Sequence, residues 1–178
     1  MSNDIKISAK DGVYFVTSTI IEHVPIFTSK AYFNILIDSL NFCSFHKNLV
    51  IHAWVILDDR FHLICQVFEL SKTMQSLKRH TAREIVHQLE NDDKRWILNL
   101  LSYYKKYYKR QSYHQIWQEG YDPQLIADEN MLLEKIEYIH YCPVEKGLVD
   151  WPEYWRNSSA SHYFSGVDSL VNMAKPLF

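Results

Sequence analysis

A chain of 178 residues can bury one sizeable core, and 47% apolar or aromatic residues make it globular, not disordered. Four glycines and no GxGxxG or GxxxxGK string disfavour dinucleotide and P-loop chemistry, and no apolar run approaches a membrane span. Net charge is −2, yet residues 72–110 alone carry +6 and the rest −8, so a basic face can exist on a slightly acidic molecule.

The first twelve residues, MSNDIKISAKDG, are polar and lack the apolar core of a signal peptide. VYFVTSTI (13–20) has the β-branched and aromatic content of a strand. Thr28 can cap a helix running to about Lys47, with Phe33, Leu36, Leu40 and Cys43 on one face. Residues 49–57 and 60–68 read as two strands joined at Asp58-Asp59, a turn short enough to force an antiparallel hairpin. Ser71 can open the next helix, with Met74, Leu77, Thr81, Ile85 and Leu89 inward. Residues 93–112 read as a further, less regular helix rich in tyrosine and lysine, and QIWQE (115–119) as a short edge strand.

Asp128 caps a last long helix with Glu129 in its first turn, where the helix dipole favours negative charge. That helix is expected to end before Pro143. Leu132, Ile136 and Ile139 form its apolar stripe; Met131, Lys135, Tyr138 and Cys142 line a different face. The tail, 147–178, contains turns and short pieces. No repeat or linker divides the chain, so residues 1–178 read as one domain with a core over about 13–145. The element order fits an α+β sandwich of several topologies, the ferredoxin-like one included. Three cysteines, Cys43, Cys65 and Cys142, are odd in number and lack CxxC spacing, which suits a reduced, cytoplasmic compartment.

Two segments carry the chemistry. The hairpin reads Leu57-Asp58-Asp59-Arg60-Phe61-His62, and the last long helix reads Tyr138-Ile139-His140-Tyr141-Cys142-Pro143-Val144. Together they resemble the two halves of the active site in the REP-associated tyrosine transposases, the single-tyrosine branch of the HUH nucleases. That family has Asn-His-x-His in the turn and Tyr-Ile-x-Asn-Asn-Pro-Val on the helix. The match extends from YFVTSTI through IWQEGY and the Pro-Val-Glu-Lys-Gly-Leu-Val run to WRNSSASHY.

The resemblance implies the ferredoxin-like topology and a nucleophilic role for Tyr138. It also implies a divalent metal, magnesium or manganese, bound by two strand histidines and an asparagine one turn after the tyrosine. Such a metal would polarise the scissile phosphate and offset developing charge, because a tyrosine with pKa near 10 is a poor nucleophile. Here His62 keeps its place, Arg60 replaces the first histidine and Cys142 the asparagine. Arginine has no lone pair to offer and a thiolate is a soft ligand, so the expected metal site is degenerate. Asp58 or Asp59 is a doubtful substitute ligand.

Arg60 can instead hold a phosphate bidentately; the plainer alternative is an exposed arginine at a strand start. Lys78, Arg79 and Arg83 match the family's basic helix and are expected against the DNA backbone. YYKKYYKR (103–110) interleaves rings and cations as single-strand stacking sites do, but an amphipathic helix with snorkelling lysines explains it equally well.

The leading expectation is a transposase-family protein that binds hairpin-bearing single-stranded DNA, with cleavage weak or lost. The alternatives are an active nickase with a rebuilt or Arg60-assisted site, and a domesticated protein-interaction module. Relatives include homodimers whose sites combine two chains. No membrane partner is expected.

Overall fold

A computed structural model describes residues 12–110, 112–120 and 122–174. The polar N-terminal stretch therefore lies almost wholly outside the described residues. Four strands form one antiparallel sheet in the order β2-β3-β1-β4: β1 (Tyr14–Thr19), β2 (Val50–Ile56), β3 (Arg60–Gln66) and β4 (Gln124–Leu125). The order, with every neighbour antiparallel, is that of a ferredoxin-like α+β fold.

Strand alternation divides the core in two. Val16, Trp54, Ile56, Phe61, Leu63 and Cys65 point to the face covered by α1 (Lys30–Lys47) and α2 (Leu70–Asn91). Phe15, Ala53, Val55 and Ile64 point to the other face, where α4 (Glu129–Glu145) lays down Leu132, Ile136 and Ile139. Every inward residue expected on α1 and α2 is buried. The hairpin closes as expected: the Leu57 amide donates to the Arg60 carbonyl across Asp58-Asp59, at 2.8 Å.

Several boundaries differ from expectation. The N-cap of α1 is Ser29, not Thr28, and α2 begins at Leu70 behind Glu69, not at Ser71; neither cap makes a side-chain bond. The tyrosine-rich helix, α3, covers only Arg95–Tyr103. Leu101 is its last buried residue, and nothing apolar follows to extend a stripe. QIWQE is not a strand. It makes one bridge, Ile20 to Trp117, and the edge strand is Gln124–Leu125 instead.

The α4 helix continues past Pro143 to Glu145. Proline removes one donor, but the Lys146 amide still bonds the Cys142 carbonyl at 3.0 Å and the Leu148 amide bonds the Pro143 carbonyl at 2.9 Å, so the turn closes. Asp128 caps α4 as expected, its carboxylate accepting from the Met131 amide at 2.8 Å.

The tail has a structural task. After a 3-10 turn (Pro152–Tyr154), residues 157–159 run along the free edge of β2, and then comes α5 (Ala160–Ser165). The Ile56 amide donates to the Asn157 carbonyl at 2.8 Å and the Ser159 amide to the Trp54 carbonyl at 2.9 Å. Among the described residues, no helix is long and apolar enough to cross a membrane.

Candidate active site beside Tyr138

Residues 60 and 62 alternate onto the same face of β3, opposite Thr19 and Thr17 of β1. The α4 helix crosses that face and brings Tyr138 down beside His62. The two rings meet edge to face with centroids 5.5 Å apart, and Phe15 stacks on His62 at 5.6 Å. Tyr138 and its own chain's His62 thus come together without a second chain. Tyr138 is 43% exposed, so it lies outside the helix's buried stripe, as its helical angle indicated.

His62 is almost fully buried. Its Nδ1 lies 2.7 Å from Thr17 Oγ1, and its Nε2 has no hydrogen-bond partner among the described residues. Burial first, then the charge of Arg60, lowers its pKa to about 4, so the ring is neutral at pH 7. Burial, then the neighbouring Cys142, pushes the Tyr138 hydroxyl above its ordinary value; Arg60 pulls the other way. Lys135, one turn before Tyr138, holds its ammonium 4.9 Å from the Phe15 ring centroid and 6.0 Å from that of Tyr138. Sequence reasoning placed Lys135 on this face of the helix without assigning it a part.

Cys142 departs from expectation. It shares a helix face with Tyr138, but it is also buried in the apolar cluster under α4. Burial raises its pKa, against a smaller downward effect of the Tyr138 hydroxyl.

Arg60 and Asp59 form an ion cluster that pattern reading did not reveal. The Arg60 Nε and Nη2 donate to the two Asp59 oxygens at 3.0 and 2.9 Å. Lys146, beyond the end of α4, donates to Asp59 at 2.9 Å and also bonds Asp58. His23 Nδ1 lies 2.9 Å from the other Asp59 oxygen. Burial alone would raise the Asp59 pKa, but the hydrogen bonds from Arg60, Lys146 and His23 outweigh it and hold the carboxyl well below the usual range. Asp59 is therefore engaged on both oxygens and is not a spare ligand.

The donor set does not fit a hard divalent cation. His62 Nε2 is free and buried, but Arg60 and Lys135 crowd it with positive charge and Cys142 offers sulfur. Among the described residues, no three His, Cys, Asp or Glu side chains group to hold an ion.

The expected DNA-backbone residues lie on the opposite side of the sheet, on α2. Arg79 and Arg83 are exposed, Arg83 pairing with Glu84 at 3.2 Å. Lys78 is half-buried and donates to the Gln118 carbonyl at 3.1 Å. These three line a groove of about 1140 Å³ between α2 and residues 112–120.

No protein-family model matches the chain. A Haemophilus influenzae protein named as a REP-associated tyrosine transposase is 29% identical over 168 residues, spanning 89% of this chain and 85% of that protein. The solved structure of a REP-associated tyrosine transposase bound to a REP hairpin superposes with a TM-score of 0.65 at 18% identity, covering 98% of this chain and 93% of that one. In sequence and in fold, the chain is similar to the REP-associated tyrosine transposases.

Proposed function

We propose that this protein is a transposase-family DNA-binding protein acting on hairpin-bearing single-stranded DNA, in which tyrosine-mediated cleavage is weak or lost. The homologue's name and the hairpin bound by the structural neighbour support the substrate class. The observation that carries the rest is the composition of the site around Tyr138. Lys135 brings positive charge beside the Tyr138 ring, and Arg60 adds to it although Asp59 already occupies its Nε and Nη2. Yet His62 is too weak a base to ionise a tyrosine whose pKa is itself raised. Such a site holds a phosphodiester better than it breaks one.

A second reading draws on the downward pull that Arg60 exerts on Tyr138: an active nickase in which Arg60 carries the positive charge. One experiment separates the two. End-labelled hairpin DNA with single-stranded flanks is incubated with the protein in manganese or in EDTA, then run on native and denaturing gels. A retarded complex without a covalent adduct is the expected result. An adduct lost in both Tyr138→Phe and Arg60→Ala would establish the second reading, and absence of any complex would overturn both.

A further inference from the structure

The tyrosine-rich stretch has a shape that its sequence left open. The alternative of an amphipathic helix required helical spacing through residue 110, but α3 stops at Tyr103 and the chain continues as an irregular loop. The loop is built, not loose. At its base the Ser102 hydroxyl donates to the Tyr113 carbonyl at 2.9 Å and the Gln115 amide to the Leu101 carbonyl at 3.2 Å. The buried Gln115 side chain accepts from the Lys106 amide at 3.0 Å.

This frame leaves three large rings in water. Tyr103 is 81% exposed, Tyr107 90% and Tyr113 88%. Tyr103 packs edge to face with Tyr104, and Tyr107 with Tyr108, centroids 5.2 and 5.4 Å apart, so a less exposed neighbour props two of the three rings. Tyr108 and Lys109 are in turn anchored on Glu119. The loop runs into the α2 groove: Lys109 and Tyr113 line it together with Arg79 and Arg83, and Glu90 and Glu119 are the acids on its wall. Exposed aromatic area of this size has no packing role in the monomer. Rings alternating with Lys105, Lys106 and Arg110 offer what an unpaired strand requires: π-faces for bases and cations for phosphates.

Resting on the proposed function, we infer that this loop and the adjoining α2 groove bind the unpaired flank of the DNA by base stacking, and do not read the hairpin stem. The surface lies on the α2 side of the sheet, away from Tyr138, so the flank would pass around the molecule.

The test uses the full chain and fluorescence polarisation on four DNAs: a blunt hairpin, the same hairpin with a single-stranded tail, that hairpin with an abasic tail, and the tail alone. The expected result is that wild type binds the tailed hairpin more tightly than the blunt or abasic-tailed one. Changing Tyr103, Tyr107 and Tyr113 together to Ala should weaken tailed binding at least about tenfold and leave blunt binding unchanged, while the triple change to Phe keeps both. Equal binding of blunt and tailed hairpins by wild type overturns this inference and leaves the proposed function standing. A triple alanine variant that binds tailed DNA like wild type also overturns it. Failure of wild type to bind any of the four overturns both.

Discussion

The helix-pair face of the sheet and the Tyr138 face are built by different rules. On the first, α1 and α2 seal a continuous apolar layer in which the buried Thr81 hydroxyl donates to the Leu77 carbonyl and accepts from Trp117. On the second, α4 packs on β2 and β3, and beside it lie a buried histidine, a buried carboxylate and the cations around it. The difference separates folding from chemistry. Apolar burial on one side stabilises the domain, which lets the other side keep groups that stabilise nothing unless they are paired.

That contrast can be broken by mutation. On the sealed face, Leu63→Ala should cost about 3–4 kcal/mol, because Leu63 is fully buried and the site cannot collapse easily. On the polar face, Asp59→Asn should cost about 2 kcal/mol, reduced from the value for a fully buried pair because Arg60 and Lys146 are partly solvated. Urea denaturation measures both. Equal stability of Asp59→Asn and wild type would show that the cluster holds nothing together.

Acid sharpens the same comparison. His62 and the buried His140 both titrate near 4 in the folded protein against 6.5 for the ordinary side chain. Between those values the unfolded chain binds the extra protons, so stability is full above pH 6.5 and falls as pH drops toward 4. From pH 7 to 4.5 each should account for a loss of about 2–3 kcal/mol, and His62→Gln should remove roughly half of that slope. Asp59 adds its own loss from about pH 5 downward, where its unfolded form begins to protonate. A pH-independent urea midpoint over this range would mean that His62 is solvated.

Rebuilding the polar face tests the metal site that the family resemblance implied. Arg60→His with Cys142→Asn should raise the manganese affinity of the site above that of wild type, as calorimetry measures it. The smallest effects concern the far face. Arg79 and Arg83 are exposed, Arg83 in a surface pair with Glu84 that solvent weakens, whereas Lys78 is half-buried and bonded, so replacing both arginines by Ala should flatten the salt dependence of single-strand binding by roughly 1.4 log units per log unit of salt. Tyr138→Phe should leave affinity unchanged.

The helix stripes and the hairpin were legible because periods of 3.6 and 2 fix which side chains share a face, whereas the placing of His62 beside Tyr138 was implied by the family resemblance together with strand alternation. The ion cluster was not. His23 and Lys146 lie 36 and 87 positions from Asp59, and no local pattern brings them there. Cys142 misled for a related reason: helical angle gave its azimuth, but not the depth to which α4 sinks onto the sheet. The loop after Tyr103 was misread because tyrosine and lysine are compatible with a helix that nothing apolar remained to hold in place.

Residues 157–159 have a consequence for how the molecule lives among its own copies. An open β-strand edge is a row of amides and carbonyls waiting for any extended peptide. This chain folds its own late segment over the edge of β2 and spends those groups internally. A version cut short before Asn157 would retain its tyrosine, its histidine and its basic helix, and still present a strand ready to recruit its neighbours. The last part of the chain is what covers that edge.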